Sequence, residues 1–319
     1  MKTFPKTLAL LSGVALLASS AFAQSVATDP VGYVTVPVKG GGTSIISNGG
    51  LLQPISTQGV GSVSGGVVLT VSGASYVVDE FAGSHYVQVA STGEWAAVAS
   101  NSADTITLEA SIADGTDLSF TLRPLNTLDS LFGADNSAGF TGGADFGASD
   151  KVFVWGLASQ NFVGFYYYNS VDGEWQDVSN NPATVIIYPD EALIVVAQSD
   201  FDLTFTGSVQ TGAVSAPVAG GGKTSILPNP YSVDLKISES GYESVLNGAG
   251  DFGSADKLFV WSSDAQNFSK FYYYNTDDSE WQNVSNATVT DDDVIPVGGV
   301  AVVVKASAGD DVWSMAQPF

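Results

Sequence analysis

The sequence contains no cysteine, and His85 is its only histidine. Without cysteine the chain can form no disulfide, thiol nucleophile, iron–sulfur cluster or cysteine-ligated zinc site. A lone histidine, expected to lie exposed at the start of a strand, excludes a multi-histidine metal site and disfavours serine-based acyl transfer. Carboxylate-pair glycosidase chemistry remains, but the repeated Glu174 and Glu280 supply only one carboxylate each. We therefore predict that the protein is not an enzyme.

Basic residues are also scarce, with 10 Lys and Arg against 33 Asp and Glu and a formal net charge of −23. A chain of this charge repels phosphate backbones, which predicts no nucleic-acid partner and no binding to anionic membrane surfaces. Charged residues make up only 13% of the chain and hydrophobic residues 45%. This composition favours a folded protein over a disordered one.

An apolar run lies near the N-terminus, in MKTFPKTLALLSGVALLASSAFAQ. Lys2 and Lys6 precede the apolar segment Leu8–Leu17, and the small residues at Ala21–Ala23 follow it, which is the pattern of a secretory signal peptide. The segment is too short for a spanning helix. We therefore predict a signal peptide at residues 1–23 and no transmembrane helix in the mature chain. The expected location is the periplasm, the outer cell surface or the extracellular medium.

After the signal peptide, the sequence lacks an apolar stripe at the 3.6-residue spacing of a helix. Short helical turns are expected only near 128–132 and 242–246. The chain consists instead of short runs rich in Val, Ile, Thr, Tyr and Phe, such as YVTVPV, HYVQVA, KVFVW, FYYYN and VAVVVKA. Clusters of Gly, Asn, Asp and Ser separate these runs, which is typical of β-strands joined by turns. The sequence predicts an all-β fold.

Much of the first half of the chain recurs in the second half. The 32-residue segment that begins at Asp145 aligns without gaps on the segment that begins at Asp251, and 20 of the 32 paired residues are identical. The offset is 106 positions here (251 − 145), but it is 180 between the segments that begin at Gly32 and Gly212 (212 − 32). The first copy therefore carries about 74 additional residues (180 − 106).

These offsets predict the domain organisation. We expect two homologous antiparallel β-units of the sandwich or small-barrel type, at residues 24–211 and 212–319. The additional residues of the first unit, at about 51–122, are predicted to form an inserted β-meander with Ser-Thr-Gly and Asn-Ser-Ala-Asp turns.

Five motifs extend over nearly the whole mature chain. They are TDPVGYVTV (Thr28 to Val36), a TSIIS…LLQP stretch (Thr43 to Pro54), the strand pair HYVQVASTGEWAAVASNSADTITL (His85 to Leu108), RPLNTLDSLFG from Arg123, and the repeated DK-x-FVW…FYYYN…EW unit. With these motifs the chain resembles a family of uncharacterised secreted bacterial β-proteins. The resemblance implies an all-β secreted protein, and it implies no catalytic residue, because no activity is assigned to the family.

Each repeat contains an aromatic hairpin, FYYYNSVDGEWQ in the first and FYYYNTDDSEWQ in the second. Alternation along a strand places Phe165 and Tyr167 on one face and Tyr166 and Tyr168 on the other. Lys270 shares the second of these faces in the second repeat. This arrangement predicts that the second face is the more exposed and that the first belongs to the core.

Two interpretations of the hairpin remain open. Cross-strand aromatic pairs stabilise a sheet by roughly 0.2–1 kcal/mol each, and rings on both faces favour packing in a core. Exposed Tyr and Trp rings can instead stack on the apolar face of a sugar, as in carbohydrate-binding modules. The candidate ligand-binding residues of this second interpretation are Tyr166, Tyr168, Trp175, Tyr272, Tyr274 and Trp281.

Two acidic pairs also recur, Asp145 with Asp150 and Asp251 with Asp256. Carboxylates in glycine-rich loops suit calcium, the one cofactor considered for this chain, and these four residues are the candidate metal ligands. Solvated turns are the competing interpretation in a chain with 33 acidic residues. The segment GGGKTS at 220–225 lacks the first glycine of a P-loop and is predicted to be a loop between strands.

The sequence thus favours a non-enzymatic secreted or cell-surface β-protein with a scaffold role in the envelope or matrix. Its expected partners are other envelope or matrix proteins. The alternative is a carbohydrate-binding module whose repeated hairpins hold a polysaccharide.

Export should leave a mature chain that begins at or within a few residues of Gln24, because signal peptidase cleaves after small residues such as Ala23. Mass spectrometry of the exported protein measures its N-terminus. An intact Met1 on exported protein would contradict this prediction.

Overall fold

The computed structural model describes residues 30–316 and confirms the all-β prediction. The predicted signal peptide at 1–23 and the last three residues of the predicted second unit lie outside this range. Within the described range, no helix combines the length and the apolar character needed to span a bilayer.

The first unit begins with three strands, after which the chain leaves the unit to form a barrel. The three strands are β1 (Val31–Val38), β2 (Gly42–Ile46) and β3 (Leu51–Leu52). The barrel strands are β4 (Thr57–Ser64), β5 (Val68–Thr70), β6 (His85–Val89), β7 (Trp95–Asn101), β8 (Thr105–Leu108) and β9 (Gly115–Pro124). The barrel closes in the order β4-β5-β8-β7-β6-β9, so none of its strands is left as an edge.

The barrel occupies the place of the predicted β-meander. It spans residues 57–124, and β9 closes it by pairing with both β4 and β6. Alternating apolar side chains such as Val87, Val98 and Leu122 fill its interior. Leu51, which the sequence-based boundary assigned to the insert, packs instead in the core of the first unit.

The chain then completes the first unit. Its remaining strands are β10 (Asn126–Thr127), β11 (Lys151–Gly156), β12 (Asn161–Asn169), β13 (Glu174–Asp177), β14 (Ile186–Ile187), β15 (Leu193–Ala197) and β16 (Phe201–Val209). A short helix, α1 (Leu128–Phe132), lies where a helical turn was expected, and Thr127 caps it by accepting a hydrogen bond from the Ser130 amide. A single 3₁₀ turn covers Phe146–Ala148. The main sheet has the order β13-β12-β11-β15-β2, and a second sheet has the order β1-β16-β3.

The second unit repeats this plan without a barrel. Its strands are β17 (Val214–Val218), β18 (Lys223–Pro228), β19 (Leu235–Lys236), β20 (Lys257–Ser262), β21 (Asn267–Asn275), β22 (Glu280–Asn283), β23 (Val294–Ile295), β24 (Val300–Lys305) and β25 (Asp311–Met315). Two 3₁₀ turns, Ile237–Glu239 and Tyr242–Ser244, follow β19. The main sheet has the order β18-β24-β20-β21-β22, which matches β2-β15-β11-β12-β13 in the first unit.

The two aromatic hairpins pair in the same register. Phe153 lies opposite Phe165 in the first unit, as Phe259 lies opposite Phe271 in the second. Both ladders also shift by one residue at the same place, immediately before the tryptophan of the FVW motif. The matching sequence segments therefore produce matching local structures.

Candidate functional site

The hairpin face that carries Tyr166 and Tyr168 packs against the core of its unit. Trp175, on the neighbouring strand, is only 2% exposed, and its Nε1 donates a hydrogen bond to the Gly133 carbonyl at 2.9 Å. In the second unit Tyr272 is 1% exposed. Tyr166, Tyr168 and Tyr274 are partly buried against the same cores, and Trp281 is buried. The prediction that this face is the exposed one is wrong, and the buried rings have no free face for a sugar.

Lys270 does not indicate an exposed face, because Asp292 and Asp293 hold its ammonium group. Its Nζ donates to the Asp292 carbonyl at 2.9 Å and lies 3.4 Å from Asp293 Oδ1. In the first unit Gly164 takes the place of Lys270, and the Tyr166 ring lies over it: a Cβ on Gly164 would come within 2.4 Å of that ring. The lysine thus forms a local ion pair, whereas the tyrosines on the same face pack against the core.

The opposite hairpin face of the first unit is exposed at Phe165 and buried at Tyr167. Phe165 is 37% exposed and contacts Phe153 with a ring separation of 5.5 Å. Tyr167, on the same face, is fully buried, because Phe146 covers its ring and Asn180 accepts a hydrogen bond from its hydroxyl at 2.7 Å. The expectation that Phe165 lies in the core is therefore wrong, whereas Tyr167 is a core residue.

Two of the four candidate metal ligands are buried and bind backbone amides. Asp150 accepts hydrogen bonds from the backbone N–H groups of Thr141 and Gln198 at 2.7 and 2.8 Å. Asp256 accepts two equivalent hydrogen bonds, at 2.8 and 2.7 Å. These carboxylates connect a loop to a strand end in each unit, because a buried carboxylate is tolerated only when donors satisfy it.

The other two candidate ligands cap short turns. Asp145 Oδ1 accepts from the amides of Gly147 and Ala148 at 2.8 and 3.0 Å. Asp251 accepts from the backbone and the hydroxyl of Ser254, both at 3.0 Å. Within residues 30–316 no three acidic or histidine side chains are grouped as a metal site. The structure thus gives all four aspartates a structural contact and does not bring them together around one point.

His85 is partly buried rather than exposed. Its ring nitrogens lie 3.0 Å from Ser56 Oγ and 2.8 Å from Ser84 Oγ, and its ring contacts Phe81. Burial lowers the pKa of the imidazole, although the nearby Glu80 carboxylate opposes this effect. His85 is the first residue of the barrel strand β6.

The glutamine that follows the FVW motif in each repeat forms hydrogen bonds with an edge strand of the other unit. Gln160 accepts from the Thr224 amide at 2.7 Å and donates to the Thr224 carbonyl at 3.1 Å. Gln266 forms the reciprocal contacts with Thr43, at 2.6 and 3.0 Å. Thr43 and Thr224 lie on β2 and β18, which are edge strands whose outer backbone groups have no neighbouring strand. We refer to these two reciprocal contacts as the Gln–Thr clasp.

The tryptophans of the FVW motif extend the Gln–Thr clasp. Trp155 Nε1 donates to the Thr224 carbonyl at 3.3 Å, and Trp261 Nε1 donates to the Thr43 carbonyl at 3.2 Å. An apolar cluster beside them combines Ile45 and Ala192 of the first unit with side chains of the second: Ile226, Phe259, Phe268, Val300 and Val302. The repeated Trp and Gln residues thus join the two units. The GGGKTS segment, predicted to be a loop, is a loop only at 220–222, because β18 begins at Lys223 and brings Thr224 into this contact.

A second candidate site lies where the barrel and the two units meet. Trp95 of the barrel stacks on Tyr188 of the first unit, with ring centroids 5.6 Å apart and planes inclined by 27°. Beside this pair lies a cleft of about 430 Å³, whose wall also includes Glu94, Glu109 and Asp190. The second unit completes the wall with Ser215–Pro217 and Val312. We refer to this cavity as the junction cleft.

Burial changes the acidity of the carboxylates at the junction cleft. Tyr188 and Glu191 are the ends of a tight turn in which the Glu191 amide donates to the Tyr188 carbonyl and Glu191 Oε2 accepts from the Tyr188 amide at 2.9 Å. Burial raises the pKa of Asp190, at the tip of this turn, to about 6. Burial likewise raises the pKa of Glu191 to about 7, against the lowering effect of the Tyr188 amide.

Sequence reasoning did not identify the junction cleft. Trp95 and Tyr188 are 93 positions apart (188 − 95) and belong to different parts of the chain. The available signal was a difference between the repeats: strand pairing aligns Tyr188–Glu191 with Pro296–Gly299, so the two acids have glycine counterparts.

Comparison with known proteins identifies no relative: no family model, no curated protein and no solved structure matches this chain. The resemblance to secreted bacterial β-proteins therefore stays a prediction.

Replacing Trp175 by Ala should destabilise the fold by about 3–5 kcal/mol, because it empties a buried site in the first core. Phe165→Ala removes a ring of comparable size that is 37% exposed, and its loss should be clearly smaller. Urea unfolding of both variants measures the difference. A larger loss for Phe165→Ala would mean that the faces are reversed.

Asp190→Asn should stabilise the protein at pH 8 and leave it almost unchanged at pH 4. The pKa of Asp190 is about 6 in the folded protein, above the value of about 4 expected in the unfolded chain. The folded state therefore prefers the protonated acid, and its stability falls as the pH rises from about 4 to about 6. The expected gain at pH 8 is on the order of 1 kcal/mol, discounted for partial exposure.

Thermal unfolding at the two pH values measures this gain. Asp264→Asn is the matched control, because it removes the same charge from a carboxylate that is 95% exposed. Equal shifts for both variants would show that net charge, rather than the burial of Asp190, sets the stability.

Proposed function

We propose that this protein is an exported, non-enzymatic scaffold protein of the cell envelope or extracellular matrix, built from two homologous β-units. The observation that carries the proposal is the Gln–Thr clasp. Residues that are identical in the two repeats, Trp155 with Trp261 and Gln160 with Gln266, hold the units against each other. A function that depends on a fixed spacing between two β-units is the one that such a contact serves best.

The signal-peptide pattern and the strong negative charge support export and solubility outside the cell. The expected partners are other envelope or matrix proteins, which bind through surfaces rather than through a reaction.

Carbohydrate binding by the repeated hairpins receives no support from the geometry. Two or three exposed rings in a row would be needed, but the tryptophans of both hairpins and Tyr272 are buried. A sugar could reach these rings only if the unit opened.

The test measures where the protein is held and whether the Gln–Thr clasp is needed there. Cells would express the full chain, the double variant Gln160→Ala/Gln266→Ala, or the control Gln58→Ala, which changes an exposed glutamine of the barrel. Each clasp substitution leaves a threonine amide without its side-chain acceptor, while the tryptophan still donates to the threonine carbonyl, and should cost about 1–3 kcal/mol.

The proposal predicts that the full chain and the control remain in the envelope or matrix fraction, whereas the clasp variant is depleted there despite normal export. A cytoplasmic location of the full chain would overturn the proposal. Retention of the purified chain on insoluble polysaccharide, released by soluble oligosaccharide, would favour the carbohydrate-binding alternative.

A further inference from the structure

The junction cleft contains a carboxylate that the protein itself does not satisfy. Among the described residues, the Asp190 carboxylate accepts a hydrogen bond only from its own backbone N–H. Asp150, by contrast, accepts from two amides of other segments. Asp190 is half-buried at the wall of the cleft, so a positive or donating group from outside can reach its carboxylate and offset the cost of its partial burial.

The acidic turn at the cleft occurs only in the first unit, into which the barrel is inserted. In the second unit Gly298 and Gly299 take the places of Asp190 and Glu191, and the Gly298 carbonyl accepts a hydrogen bond from the Ser47 amide at 2.8 Å. That turn is therefore used to join the units. The first-unit turn keeps the same backbone hydrogen bond but places carboxylates beside Trp95. The acids are thus not needed to form the turn.

All the side chains around the junction cleft that can carry a charge at neutral pH are acidic. Glu94, Glu109 and Asp190 belong to its wall, and Glu191 lies in the adjoining cavity with Trp95 and Tyr188. No Lys, Arg or His is found among the described residues that line either cavity. Such a cavity raises the local concentration of cations.

The aromatic pair determines which kind of cation fits. Trp and Tyr rings attract a cation placed over their faces, and they also contact the apolar part of an organic ion. A strongly hydrated metal ion gains little from aromatic walls and prefers several converging oxygen ligands.

We propose that the junction cleft binds an alkylammonium group, which lies against the Trp95–Tyr188 pair and forms an ion pair with Asp190. The group belongs either to a free amine or to a lysine side chain of a partner protein. This site is independent of the scaffold role, because the Gln–Thr clasp contains none of its residues.

Binding to the proposed site should weaken in acid, because an alkylammonium ion pairs with the ionised form of Asp190. Among the described residues, the titratable side chains that line the cavities around Asp190 are Tyr188 and Glu191 from its own turn and Tyr86, Glu94 and Glu109 from the barrel, while the second unit contributes none. Burial raises the pKa of Asp190 to about 6. Affinity should therefore fall about tenfold between pH 8 and pH 5.

The experiment titrates the full mature chain with n-butylammonium chloride at constant ionic strength and follows binding by NMR chemical shifts. We expect saturable binding and at least a fivefold loss of affinity in Asp190→Asn. Asp264→Asn is again the charge-matched control and should bind as the parent does. A peptide that contains one lysine, measured in parallel, distinguishes the two sources: tighter binding of the peptide assigns the group to a partner protein.

Three results would overturn the proposal. The first is equal binding of neutral n-butanol, which would reduce the site to an apolar cleft. The second is saturable binding of calcium chloride at the same residues with no binding of n-butylammonium. The third is an equal loss of affinity in Asp190→Asn and Asp264→Asn, which would show non-specific attraction to an acidic protein.

Discussion

The structure depends on satisfying the outer backbone groups of two edge strands. Thr43 on β2 and Thr224 on β18 each lie at the border of a five-stranded sheet, where the next strand is missing. A glutamine of the opposite unit supplies both the donor and the acceptor that a strand would provide. Because the contact is reciprocal, one short sequence pattern forms both halves of the interface. This explains why Trp and Gln are identical in the repeats while the GLAS and SSDA residues between them differ.

Buried carboxylates fall into two classes in this acidic chain. Asp150 and Asp256 accept hydrogen bonds from backbone amides of other segments and so connect loops to strands. Asp190 lacks such donors, and burial raises its pKa to about 6. The difference follows from what surrounds each group rather than from residue type: two fixed N–H dipoles replace the water that a buried carboxylate loses, and a wall of rings does not.

The sequence predicted the features that depend on local pattern. Alternation and turn residues predicted the strands, and the fixed offset predicted that Phe153–Phe165 and Phe259–Phe271 would pair alike. The exposed face was predicted wrongly, because Lys270 forms an ion pair with Asp293, a contact between separate segments that strand alternation does not predict. Closure of the barrel through β9 was also beyond local pattern, since β4 and β9 pair across about 60 residues of chain.

The inserted barrel makes two similar units unequal. In a duplicated structure, each surface that one unit presents is presented again by the other, so a single binding site is expected where the units differ. The barrel brings Trp95 to Tyr188 in the first unit alone, and the neighbouring turn carries Asp190 where the second unit has Gly298. The Gln–Thr clasp, in contrast, uses what the units share. The shared Trp and Gln residues thus join the two units, and the residues found in the first unit alone form the junction at which we propose that an alkylammonium group binds.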